Sequence, residues 1–98
     1  MVEIVKSVTF DRWLAGLKDR HAKARVETRI RRLSLGNPGD VKPVHHGISE
    51  LRIDYGPGYR VYFMQRGPVL VVLLAGGDKR TQRADIARAI EIAKDWKE

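Results

Sequence analysis

Apolar and polar positions alternate through VEIVKSV, which predicts a strand over Val2–Val8. The period then lengthens. Thr9 is placed to cap a helix through FDRWLAGLKD, where Phe10, Trp13, Leu14 and Leu17 recur at helical spacing. That spacing assigns Trp13 to a core and not to a stacked base. Residues 18–35 read as a second helix, with Ala22, Val26, Ile30 and Leu33 on its inner face. Gly36 suits the position after a helix, and Asn37-Pro38-Gly39 makes a turn. DVKPVHHGIS, Asp40–Ser49, reads as a loop. Strands follow over Glu50–Tyr55, Tyr59–Gln65 and Val69–Ala75, the last ended by Gly76-Gly77-Asp78. Thr81–Trp96 reads as a terminal helix with Ile86, Ala89, Ile90, Ala93 and Trp96 turned inward. The order β-α-α-β-β-β-α predicts an α+β fold with a small, mainly antiparallel sheet, as one domain over residues 1–98.

The turn in ELRIDYGPGYRVYF can be checked against the alternation around it. A two-residue Pro57-Gly58 loop would set charged residues opposite apolar ones on one face. A three-residue Gly56-Pro57-Gly58 loop pairs Tyr55 with Tyr59, Ile53 with Val61 and Leu51 with Phe63, all apolar. Because side chains alternate with period two, only an odd loop keeps both faces consistent. Arg52, Asp54, Arg60 and Tyr62 then share the other face, with Asp54 opposite Arg60 and Arg52 opposite Tyr62. Two readings of Arg60 fit. It pairs across the strands with Asp54, or Asp54 orients it toward a phosphate, which the planar guanidinium binds as a fork. Tyr62 beside Arg52 is either a strand-forming aromatic or a platform for a base.

Composition narrows the class. The chain is 43% hydrophobic and 32% charged, which describes a globular protein. It has no cysteine, so a disulfide framework, a thiolate metal site and a cysteine nucleophile are excluded. MVEIVKSV carries no signal core, and the apolar run Val69–Ala75 is far short of the ~20 residues of a membrane helix. The expectation is a cytoplasmic protein with no membrane partner. The net charge of +7 favours a polyanionic partner through attraction and counterion release.

That charge is concentrated. The second helix carries Lys18, Arg20, Lys23, Arg25, Arg29, Arg31 and Arg32 against Asp19 and Glu27. This is either an ordinary solvated face or a footprint for nucleic acid, with Lys23, Arg25, Arg29 and Arg32 as its contacts. In AGGDKRTQ the glycines allow close backbone approach, and Lys79, Arg80 and Arg83 cluster where the terminal helix begins, a place that attracts anions. No glycine-rich phosphate loop with its lysine appears, and no Ser-His-Asp arrangement. His21, His45 and His46 do not make a metal-ligand set, and no metal or other cofactor is expected. Cleavage of RNA needs neither. The substrate's own 2′-OH attacks the adjacent phosphorus, and the protein positions the chain and stabilises the added charge. Lys42, Arg52, Arg60, Tyr62, Lys79 and Arg80 supply side chains for such a site.

GDVKPV, SELRIDYGPGYRVYF and LLAGGDKRTQRADIARAI carry a further signal. Through them nearly the whole chain resembles the RelE/ParE superfamily of toxins from type II toxin–antitoxin systems, most closely its HigB-like addiction-module-killer branch. The resemblance implies a RelE-like fold and a toxin neutralised by a cognate antitoxin. In RelE-like and HigB-like members it also implies metal-free cleavage of mRNA on the ribosome. The family's functional arginine after the hairpin turn falls on Arg60, its basic residues before the hairpin on Lys42 and Arg52, and the one after the last strand on Lys79 or Arg80. The late tyrosine or histidine of some nuclease members has no counterpart in Arg83–Glu98. ParE-like relatives share the fold and inhibit DNA gyrase. A non-catalytic module binding nucleic acid or an acidic antitoxin is the third reading.

Overall fold

The computed structural model describes residues 1–97. Its first strand, β1 (Glu3–Lys6), is shorter than the alternation suggested, because Ser7 starts the helix and not Thr9. The Ser7 hydroxyl accepts from Phe10 N–H and donates to the Leu74 carbonyl at 2.6 Å, so it caps α1 (Val8–Gly16) and ties it to the sheet. Helix α2 (Arg20–Ser34) is capped by Asp19, whose carboxylate accepts from the His21 and Ala22 amides. Those amides hold the Asp19 carboxyl below the usual carboxylate range. Part of the expected loop is a short strand, β2 (Val41–Pro43). Strands β3 (Ile48–Ile53), β4 (Tyr59–Arg66) and β5 (Leu70–Asp78) follow, then a 3₁₀ turn (Lys79–Thr81) and helix α3 (Gln82–Asp95).

The five strands form one sheet in the order β1-β5-β4-β3-β2, antiparallel except for the β1–β5 pair. Helices α1 and α2 cover one face, where Phe10, Leu14, Val26, Ile30, Leu51, Val61, Phe63 and Leu73 make the main core. Helix α3 covers part of the other, over Ile48, Tyr62, Met64, Val72, Leu74 and Ala75. Between Tyr62 and Phe63 the β4–β5 register shifts, and this bulge places Leu74 and Ala75 both on the α3 side.

The hairpin keeps an odd loop, but a longer one than Gly56-Pro57-Gly58. Ile53 pairs with Tyr59, Arg52 with Arg60, Leu51 with Val61 and Glu50 with Tyr62. Both faces of the hairpin are therefore those its parity predicts, with the register two residues off. Asp54 lies in the loop, not opposite Arg60. The loop is longer because Gly56 and Gly58 both take positive φ, and the Gly58 amide closes on the Tyr55 carbonyl at 3.1 Å.

Gly76 and Gly77 do not end β5; they are inside it. On the main-core side a Cβ at Gly76 would overlap the Trp13 ring. On the α3 side a Cβ at Gly77 would overlap the Asp85 carboxyl. Each glycine is the seat for a side chain from a helix.

Candidate active site

Two rows of residues cross the α3-facing side of the sheet. Lys42, Glu50, Tyr62 and Ala75 form one in register; Arg52, Arg60 and Gly77 form the next. Small residues at Ala75 and Gly77 let the start of α3 approach. Gln82 and Asp85 thereby reach the sheet from above.

Glu50 is the centre of this arrangement. Its side chain is 2% exposed and accepts from three donors: Arg60 NH1 at 3.3 Å, Tyr62 Oη at 3.2 Å and Gln82 Nε2 at 2.6 Å. A carboxylate this buried is tolerated because it is paired and hydrogen-bonded. Tyr62 is 0% exposed, and burial, then Glu50, pushes its hydroxyl well above the ordinary phenol range. The expectation that Tyr62 offers a ring to nucleic acid is thus corrected: its ring is in the α3 core and its hydroxyl serves Glu50.

Arg60 is 13% exposed at its side chain. Glu50 takes one terminal nitrogen, while Nε is buried with no hydrogen-bond partner. Leaving a buried N–H unpaired costs roughly 1–3 kcal/mol, and folded proteins seldom keep one without a use for it. Arg60 lines a pocket of about 390 Å³ at the turn end of the hairpin, together with Arg52, Lys79, Asp40, Asp54 and Tyr59. Arg52 pairs with Asp40 at 3.0 Å, and that bond holds its guanidinium above the usual pKa. Arg52 and Arg60 face each other directly across β3 and β4, a like-charge pairing made tolerable because each turns to its own carboxylate.

The structure brings together Arg52, Arg60 and Lys79. Lys42 is exposed and sits outside that pocket, in register beside Glu50. Arg80 points to solvent and pairs with Asp78 at 3.1 Å, which depresses the Asp78 carboxyl. Arg83 lies on α3, where it lines a separate, largely apolar groove with His45, Ile86 and Ile90.

On α2, Arg25 stacks over the Tyr55 ring at 4.7 Å, and Arg25, Arg29 and Arg32 line a second pocket that shares Ile53 and Asp54 with the first. Arg29 is partly committed elsewhere. It donates to the backbone carbonyls of Arg52, Pro38 and Asp40, and burial lowers its pKa. It therefore straps the 37–40 turn to β3. Lys23, half-buried, is absent from both pockets. Among the described residues no group of three or more His, Asp, Glu or Cys could hold a metal ion, and no helix is long and apolar enough to cross a membrane.

Sequence reasoning missed Glu50, Gln82 and the strap made by Arg29. A signal for Glu50 was present: in ELRID it shares parity with Arg52 and Asp54. Nothing in the alternation shows, however, that α3 covers this face at Glu50.

A small α+β protein results, with a mixed five-stranded sheet, helices on both faces and a cationic pocket at one end, compatible with a RelE-like fold. Residues 12–98 match the model of the family "Phage derived protein Gp49-like (DUF891)", and the chain belongs to that family, which is toxin-like and of the RelE/HigB addiction-module type. An uncharacterized protein of Haemophilus influenzae (strain ATCC 51907 / DSM 11121 / KW20 / Rd) is 52% identical over 94 residues, covering 96% of this chain and 95% of the relative.

Proposed function

We propose that the protein is the toxin of a type II toxin–antitoxin module and acts as a metal-independent, ribosome-dependent mRNA endoribonuclease in the cytoplasm. The observation that carries this reading is the pocket in which Arg60, with an unmade Nε–H bond, stands beside Arg52 and Lys79. The chemistry asks for that set. The 2′-OH gives its proton to water and bonds phosphorus, the bond to the 5′ oxygen breaks, and that oxygen takes a proton. Charge accumulates on the non-bridging oxygens, where Arg60 stabilises it and Arg52 adds to the field. Lys79, exposed and a donor only, is the side chain we assign to the departing 5′ oxygen. Tyr62 is too deeply buried for that task. Lys42, Arg80 and Arg83 hold the RNA backbone around the site, and the basic face of α2 meets ribosomal RNA. A cognate antitoxin with acidic segments neutralises the toxin by covering the pocket.

The test is induced expression in bacteria, with 5′-end mapping of a translated mRNA beside an untranslated copy of it. Cuts confined to the translated copy support the nuclease. Growth arrest with both copies intact overturns it and moves the target to DNA gyrase, to be checked by supercoiling assays.

A further inference from the structure

We infer that Glu50 is a positioning residue for Arg60: it claims one terminal nitrogen of the guanidinium so that the Nε–H edge is held for a phosphodiester. The inference rests on the phosphate-binding role given to Arg60 above and deepens it.

The geometry supports this in three ways. A guanidinium offers Nε–H and one terminal N–H in parallel along one edge, a pair matched to two non-bridging phosphate oxygens. Glu50 occupies NH1, which in the guanidinium lies away from Nε–H, and Nε remains without a partner. Glu50 itself cannot swing, because Tyr62 on β4 and Gln82 on α3 hold its second oxygen at 3.2 and 2.6 Å. The bound carboxylate therefore fixes the arginine from a strand, a strand neighbour and a helix at once. Its burial keeps water from competing for the Arg60 bond.

The role differs from mere stabilisation, and the distinction can be measured on the Arg60 Nε–H itself. In ¹⁵N spectra of the whole protein this resonance should exchange slowly with water, being buried, and should shift when a 2′-O-methyl RNA trinucleotide is added as an uncleavable phosphodiester. In Glu50→Gln, which keeps volume but loses the charge, exchange should become fast. The trinucleotide concentration needed for half the shift should rise about tenfold. Cleavage of ribosome-bound mRNA by Glu50→Gln should lose roughly 100-fold in kcat with little change in KM, the scale expected when a reacting group is misplaced by about an ångström. Val26→Ala, in the opposite core, lowers stability without touching the network and should keep wild-type kcat.

A folded Glu50→Gln with an unchanged Arg60 resonance and unchanged kcat overturns the inference. So does a wild-type resonance that the trinucleotide does not move. A wild type that cuts no mRNA overturns the nuclease reading alone; the resonance, read without cleavage, still decides the role of Glu50.

Discussion

Glu50 and Arg60 sit diagonally across β3 and β4 and meet at 3.3 Å beneath the start of α3. Because both are largely buried, removing one strands the other. Arg60→Ala should abolish toxicity and also lower stability by somewhat less than the roughly 3–5 kcal/mol of a buried pair broken from one side. Tyr62 and Gln82 still donate to Glu50, which limits the loss. Urea titration measures it. The double variant Arg60→Ala/Glu50→Gln should recover stability relative to Arg60→Ala and remain non-toxic. A double variant that regains toxicity would remove Arg60 from the proposed site.

Lys79 offers the cleaner functional test. It is exposed, lines the pocket and has no buried partner to strand. Lys79→Ala should therefore leave the urea midpoint within about 0.5 kcal/mol of wild type, while cleavage of translated mRNA falls 10²-fold or more, as the loss of a positioned acid would dictate. Retained cleavage would transfer the proton step to the ribosome.

How much of this was legible in the chain follows from where the information lies. Alternation and helical spacing are local, so the helices, the three long strands and both faces of the hairpin could be read from them. Register is not local: every odd loop satisfies the same parity, and the five-residue solution depends on the Gly56–Gly58 backbone. VKP reads as a loop because proline is poor in strands, yet Pro43 is tolerated on β2, the edge strand. Gly76 and Gly77 read as a stop until Trp13 and Asp85 are seen against them. Arg52, Arg60 and Lys79 were identifiable by residue type. The two readings of Tyr62 stayed open, and Glu50 was missed, for one reason: the helix that buries them lies more than thirty residues downstream of Glu50, as Gln82 shows.

Gly77→Ala tests that close approach. The new methyl would overlap the Asp85 carboxyl and crowd Thr81 Oγ1 at 2.8 Å. The hydrogen bond from Thr81 Oγ1 to Asp85 at 2.6 Å would have to shift, and with it the first turn of α3 that carries Gln82. A loss of about 1–3 kcal/mol is expected, with faster amide exchange in α3 than in α2. Unaltered exchange in α3 would mean that the helix start is free to move.

On the α2 side, two of the three arginines that line the second pocket, Arg29 and Arg32, should behave differently. Arg29 spends its donors on the Arg52, Pro38 and Asp40 carbonyls. Arg29→Met should cost roughly 1–3 kcal/mol by leaving those groups without it. Arg32 is exposed and forms no such strap. Arg32→Ala should leave stability unchanged and reduce the salt dependence of RNA binding by about one unit of slope, as one phosphate contact would. Equal stability losses in both variants would deny the strap.

The Tyr62 hydroxyl gives a prediction at high pH. Burial, then the Glu50 carboxylate, raises its pKa above the ordinary 10.0. A raised folded pKa means that the native state holds this proton more tightly than the unfolded chain does. The contribution is complete below pH 10 and declines above it, as the unfolded tyrosine ionises and the native one does not. Thermal midpoints should therefore drop steeply above pH 10 in the wild type. Tyr62→Phe starts lower near neutrality, having lost the bond to Glu50, but should show a shallower alkaline slope. Absorbance near 295 nm should show part of the phenolate signal appearing only with unfolding, and that part should vanish in Tyr62→Phe. Parallel slopes in the two proteins would mean that Tyr62 ionises freely in the native fold, and that Glu50 is not sealed in the way its three donors imply.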